Sequence, residues 1–251
     1  ELRAADGCRP IVRLLDEEPD LSDELTVIAG PGSRLVLDGL LIAHRGVRVI
    51  GAPHALVLRH TTLVPGWDLG HDCSPERGDE PSLRLIDTLL PSDPLFSEYE
   101  RVGLSQPAQR GCGTRVVVDH SIVGSITVLR DAVRSEPIAI AISDSVLDAT
   151  SPEIEALSTP DNQIAHALLS IARSTVIGAV LTHAIERAEN TIFCGPVGVA
   201  RSQRGCMRFC YLAPDQPGAP TMKRPARRYG CQPEQAEQAA VPAEFGGDAV
   251  A

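Results

Sequence analysis

Four residues in the middle of the chain have the types that acid–base chemistry on a polymer would need: Asp119, His120, Asp144 and Arg173. A carboxylate pair can act as general acid and general base when its surroundings separate the two pKa values. Carboxylates are also the donors a hard cation such as Ca2+ takes. A second polar group, Asp68, His71, Asp72, Cys73 and Glu76, falls in one short stretch. Its spacing fits no standard ligand pattern, so no metal is expected there. Gly30-Pro31-Gly32 precedes strand-like residues and reads as a turn, not a phosphate loop. Neither G-x-S-x-G nor H-E-x-x-H occurs, and no cofactor is expected. His183 stands alone beside aliphatics and reads as structural.

An internal repeat is what would bring the four residues together. Thr62-Leu63-Val64-Pro65, Ser121-Ile122-Val123-Gly124, Ser145-Val146-Leu147-Asp148 and Thr175-Val176-Ile177-Gly178 share a hydroxyl residue, two aliphatics and a turn residue. Each follows a strand-like run, such as Arg115-Val116-Val117-Val118 or Ile138-Ala139-Ile140-Ala141-Ile142. A more degenerate copy is Leu35 to Ile42. The spacings are 22 residues from Leu41 to Leu63, 24 from Ser121 to Ser145 and 30 from Ser145 to Thr175. Two amphipathic helices do not fit such units, whereas two or three short strands do. The reading is an all-β chain, a right-handed parallel β-helix with coils of about 22–24 residues. A β-sandwich or jelly roll is the alternative, though neither demands a repeat. In this frame Leu63, Ile122, Val146 and Val176 face inward as one ladder. Coils about 4.8 Å apart bring Asp119, His120 and Asp144 into one cluster, with Arg173 a coil further.

The β-helix is expected over residues 1–216, with 67–81 and 87–113 leaving it as polar, Pro-broken loops. A Pro- and Arg-rich loop at 217–235 would pack on the C-terminal coil, and 236–251 reads as a disordered tail. Composition agrees: 43% of the 251 residues are hydrophobic but only 3% aromatic, which suits thin aliphatic layers. The 21 Gly and 20 Pro suit many turns. A net charge of −10 argues against a nucleic-acid partner or docking on an anionic membrane. The basic cluster Lys223, Arg224, Arg227 and Arg228 reads as a solvated loop. No run of 18 apolar residues exists, so no membrane insertion is expected, and no basic-then-apolar leader opens this chain.

Several stretches resemble the β-helical regions of large bacterial proteins associated with phage-tail-like contractile assemblies. They are Leu37-Asp38-Gly39-Leu40-Leu41-Ile42, Arg59 to Trp67, Ser174 to Gly178, Gly205 to Tyr211, and Arg227 to Pro233. The resemblance spans roughly residues 1–233. It implies a structural or surface-recognition role, with polysaccharide or other protein subunits as partners and a bacterial setting, in the cytoplasm or released with the assembly. It supplies no catalytic residues. The family continues past Cys231-Gln232-Pro233, whereas this chain turns to a low-complexity tail, as a truncated or divergent piece would.

Two functional readings follow. The first is a non-catalytic solenoid module. The second is a carbohydrate-active enzyme, a lyase or hydrolase working on the outer face as pectate lyases do, with Asp119, Asp144 and Arg173 in a cleft walled by 67–113. A solvated strand face accounts for the same residues and is the preferred reading. Of the seven cysteines, four lie near the C-terminus. Zinc usually takes two tight pairs, and only the loose Cys206/Cys210 pair is present. The cysteines read first as buried thiols. Cys206 to Tyr211 alternates like one strand, which puts Cys206 and Cys210 on one face about 13 Å apart, too far to bond. A disulfide, if one forms, joins Cys206 to Cys231.

Overall fold

Segments such as Arg115–Asp119 alternate inward and outward and end at a residue that bends the chain left-handed, so they make short strands. The computed structural model describes residues 1–15, 24–87, 113–132 and 135–212. These are all-β, with no helix among them, in one 14-stranded and one 8-stranded sheet of parallel strands. Most of 87–113, the loop 217–235, the tail 236–251 and Cys231 lie outside the described residues.

The chain visits three rows of strands in a fixed order. The first row includes Arg34–Asp38, Ala55–Arg59, Arg115–Asp119, Ile138–Ser143 and Ala165–Ala172. The second is the 8-stranded sheet, which includes Leu41–Ala43, Thr62–Leu63, Ile122–Val123, Val146–Asp148, Thr175–Ile177, Ile192–Phe193 and Tyr211–Leu212. The third includes Leu25–Ala29, Val47–Gly51, Leu83–Ile86, Ile126–Leu129 and Glu155–Ser158. The strand Ala179–Glu189 pairs first with Glu155–Ser158 and then with Ala165–Ala172. It therefore runs from the third row back into the first without a turn, and the two rows become one curled sheet.

Side chains from all three rows fill one core. In the second row Ile42, Leu63, Val123, Leu147, Val176, Phe193 and Leu212 are buried and stand one above the other. The circuits are less uniform than the sequence suggests. Ile42 to Leu63 is 21 residues, Val123 to Leu147 is 24 and Leu147 to Val176 is 29. Val176 to Phe193 is only 17, because Ala179–Glu189 goes straight through with no loop between rows.

The repeat frame needs correcting at two places. Ile122 pairs with Thr62 and Val146, and Val146 pairs with Thr175. Ile122 is 42% exposed and Val146 half-buried, so they face outward. The inward ladder is Leu63, Val123, Leu147 and Val176. The cause is a doublet of hydroxyl residues, Thr61-Thr62 and Ser174-Thr175. The repeat position belongs to the first of each pair, and a slip of one residue turns a strand over.

What the hydroxyl does becomes clear at the turn between the first and second rows. There Gly39, His60, His120, Asp144, Arg173, Asn190 and Phe209 all take positive φ, from 46° to 75°. The next residue points inward: Thr61, Ser121, Ser145, Ser174, Thr191 and Cys210 are buried. Thr61 N–H donates to Ser121 Oγ (3.1 Å), Ser121 N–H to Ser145 Oγ (3.0 Å) and Ser145 N–H to Ser174 Oγ (3.2 Å). Each hydroxyl donates in turn to the carbonyl two residues back, as Ser121 does to Asp119 at 2.8 Å and Ser145 to Ser143 at 2.6 Å. Buried amides that no strand partner can reach are thereby paired.

Cys210 takes the hydroxyl position in the last circuit and lies 3.3 Å from the Arg208 carbonyl. The strand Cys206–Arg208 ends at Phe209, so Cys206 to Tyr211 is not one alternating strand. Cys210 is buried and Cys206 half-buried, and no disulfide joins them. The expectation that they share a face fails because the left-handed residue resets the alternation.

The corrected register predicts that Leu147→Ala costs about 2–5 kcal/mol, whereas Ile122→Ala costs under about 0.5 kcal/mol. Urea unfolding of the two variants measures both. An equal loss would contradict the register.

Candidate functional site

The first-to-second turn lines up two columns of side chains along the stack. One is the last outward residue of each first-row strand: Asp38, Arg59, Asp119, Ser143, Ala172 and Glu189 in successive circuits. The other is the left-handed residue that follows. Asp119, His120, Asp144 and Arg173 therefore do meet, as neighbours in these columns.

Their mutual bonding is nearly closed. Arg173 grips Asp144 with two hydrogen bonds, Nε to Oδ1 and a terminal nitrogen to Oδ2, both 2.6 Å. Ser143 Oγ donates to Asp119 Oδ1 at 2.6 Å, and His120 Nδ1 lies 3.2 Å from the same oxygen. Arg59 Nε stands 3.9 Å from Asp119 Oδ2. The His60 and His120 rings are 5.2 Å apart. The same alternation of sign continues along the corner, with Arg3 on Asp38 at 3.5 Å and Arg208 on Glu189.

This bonding sets the protonation states. The Ser143 hydroxyl, then His120 and Arg59, hold Asp119 below the usual carboxylate range. The Arg173 hydrogen bonds and charge do the same for Asp144, and Asp144 raises the Arg173 pKa in return. Both carboxylates are thus kept ionised, and neither is tuned as a general acid. Donor atoms of Asp119, His120 and Asp144 lie within 4.8 Å of one another, a spacing a cation can span. Such an ion would compete with Arg173 for Asp144.

A carboxyl the sequence did not single out behaves differently. Burial raises the pKa of Asp87, outweighing the attraction of Arg130, whose guanidinium lies 3.7 Å away. Asp131 pushes in the same direction. No composition or spacing signal marks Asp87, because its shift comes from the packing of the third row. His183 packs against His166 with ring centroids 5.3 Å apart. Its proton affinity is lowered by burial, and then by His166, Arg201 and Arg204.

Of the expected wall at 67–113, residues 88–112 lie outside the described residues, and the described part packs elsewhere. Pro65 and Ser82 lie over Gly124, where a Cβ would come within 2.1 Å of Ser82 Oγ. Further on, Thr150 Oγ1 donates to the Gly78 carbonyl at 3.2 Å. A groove of about 450 Å³ opens on the outward side of the third row instead, lined by Asp79, Glu80, Arg84, Thr127, Glu153 and Glu155 among others. None of Asp119, His120, Asp144 or Arg173 lines it. Of the five residues in the polar stretch 68–76, the fold brings Asp68 and Glu76 together and adds His44, while Asp72 is taken by Ser74 at 2.5 Å.

Because their folded-state pKa values are depressed, Asp119 and Asp144 stabilise the fold above the ordinary carboxylate value of 3.8, and this contribution is lost as pH falls below it. An Asp119→Asn/Asp144→Asn variant should therefore show a shallower acid limb below about pH 4 than the parent. Thermal unfolding across pH 2–7 reads this directly. Identical limbs would mean that the corner pairs do not form.

Compared as a sequence and as a structure, the chain matches no family model, no curated protein and no solved structure, so the site rests on its own geometry.

Proposed function

We propose that the chain is a right-handed parallel β-helix that serves as a non-catalytic structural or recognition module of a larger bacterial assembly. Right-handed winding is supported by the strong chirality of crossovers between parallel strands of one sheet. The observation that carries the role is a column of outward residues on the second row, five of them aliphatic, broken by Thr62 and Thr175 and closed by Tyr211. Ile11, Leu41, Thr62, Ile122, Val146, Thr175, Ile192 and Tyr211 occupy one register across all eight strands. Ile11, Ile122, Ile192 and Tyr211 are each more than 40% exposed. A soluble strand face is ordinarily polar on its outward side. A largely apolar column about 34 Å long, with Thr62 and Thr175 as its polar points, suits another protein's packed surface. It offers only one aromatic ring, so it suits a sugar chain poorly.

A second reading, a carbohydrate-active enzyme, draws support from the third-row groove and its carboxylates. It would shift the chemistry away from Asp119 and Asp144.

A photo-cross-linking residue at 122 or 192 should capture a discrete protein subunit in the native host, and one at Arg115, on the outward side of the first row, should not. Cleavage of a polysaccharide by the purified chain, abolished by Glu80→Gln or Glu155→Gln, would replace this reading with the enzymatic one.

A further inference from the structure

The excursion between Thr62–Leu63 and Leu83–Ile86 meets the turn after Leu41–Ala43 through two residues in the left-handed region, Trp67 at φ 69° and His44 at φ 81°. Histidine is among the residues that tolerate this conformation, whereas a bulky tryptophan is not, so the surrounding contacts hold Trp67 there. The His44 N–H donates to the Trp67 carbonyl. Trp67 is buried, donates from Nε1 to the Pro81 carbonyl at 3.0 Å, and carries the Arg45 guanidinium 4.8 Å above its ring.

This arrangement leaves one imidazole nitrogen stranded. His44 Nδ1 is shut off from solvent and has no hydrogen-bond partner among the described residues. It faces Asp68 Oδ2 at 3.6 Å. A protonated Nδ1 is too far away for a hydrogen bond, and an unprotonated one aims its lone pair at a carboxylate. Neither state satisfies the buried atom.

The carboxylate opposite is fixed in place. Asp68 Oδ1 accepts the Leu69 N–H at 2.9 Å, and the Asp68 N–H donates to the Gly66 carbonyl at 2.9 Å. The Glu76 N–H donates to the Asp68 carbonyl at 2.9 Å, which folds Glu76 back over the same point. Donor atoms of His44, Asp68 and Glu76 all lie within 4.8 Å of one another. At metal–ligand distances of about 2.0–2.1 Å, two donors separated as Nδ1 and Oδ2 are subtend roughly 120° at a shared ion. That is an ordinary angle for a small divalent cation.

We propose that His44 Nδ1, Asp68 and Glu76 form a divalent-cation site suited to Zn2+, which ties the excursion to the turn after Leu41–Ala43. One nitrogen and two carboxylates leave a further position for water. Arg13 is the competitor: its guanidinium lies 3.2 Å from Asp68 Oδ2, on a side chain 61% exposed. An exposed pair of this kind is held weakly and gives way to a divalent ion. The site is independent of the recognition column and of the corner carboxylates.

The test is titration of the chelator-stripped full chain with ZnCl2, followed calorimetrically. One site per chain is expected. Glu76→Gln and His44→Asn should each weaken binding about tenfold or more. Asparagine at 44 accepts the left-handed backbone, and Glu76 is exposed, so both variants keep the fold. Arg13→Ala should tighten binding by removing the competitor, and Asp144→Asn should leave it unchanged. Saturation with Zn2+ should also slow proteolysis within 64–82. No binding, binding that survives both Glu76→Gln and His44→Asn, or loss of binding in Asp144→Asn would overturn the proposal.

Discussion

The structure depends on how one buried amide is paired. Where the first row hands the chain to the second, a single left-handed residue makes the bend, and the N–H of the next residue turns into the core. No strand partner stands there to receive it, and an unpaired buried N–H costs about 1–3 kcal/mol. The hydroxyl of the neighbouring circuit fills the gap at Thr61, Ser121 and Ser145. That requirement recurs over three successive circuits, so there it fixes where the hydroxyl falls and hence which aliphatics face inward. It tolerates wide variation in circuit length, because loops between rows leave the turn untouched.

The same turn explains why a corner rich in Asp, His and Arg looks like a reactive site. Any outward residue beside the turn stacks on its counterpart one circuit away, about 4.8 Å off. Like charges would repel along such a column, so opposite charges and hydrogen-bonding partners alternate. Asp119 is met by Arg59 and Ser143, and Asp144 by Arg173. Groups this well satisfied are held in one protonation state. They specify the stacking of circuits, whereas His44 Nδ1, where the excursion folds back onto the stack, has no hydrogen-bond partner among the described residues.

The all-β, parallel, stacked character was legible in the sequence because hydroxyl, aliphatic and turn residues recur at strand-like spacing. The meeting of Asp119, His120, Asp144 and Arg173 was legible for the same reason. The inward ladder was misplaced at Ile122 and Val146 because Thr61-Thr62 and Ser174-Thr175 offer two hydroxyls where only one does the bonding. The face of Cys210 was misread because Phe209, a residue with no left-handed preference, makes the bend there. His44 lies more than twenty residues from Asp68 and Glu76, so only the folding of the excursion brings them together. The burial that raises Asp87 is likewise a product of packing between rows.

Amide hydrogen exchange on the hydroxyl ladder tests this account most directly. The N–H groups of Thr61, Ser121 and Ser145 sit at turns, where amides ordinarily exchange quickly, yet each is bonded inside the core. They should exchange as slowly as the central strand amides, and Ser145→Ala should release Ser121 before its neighbours. Rapid exchange at all three positions in the parent chain would contradict the account, since the stack would then not be held through its turns.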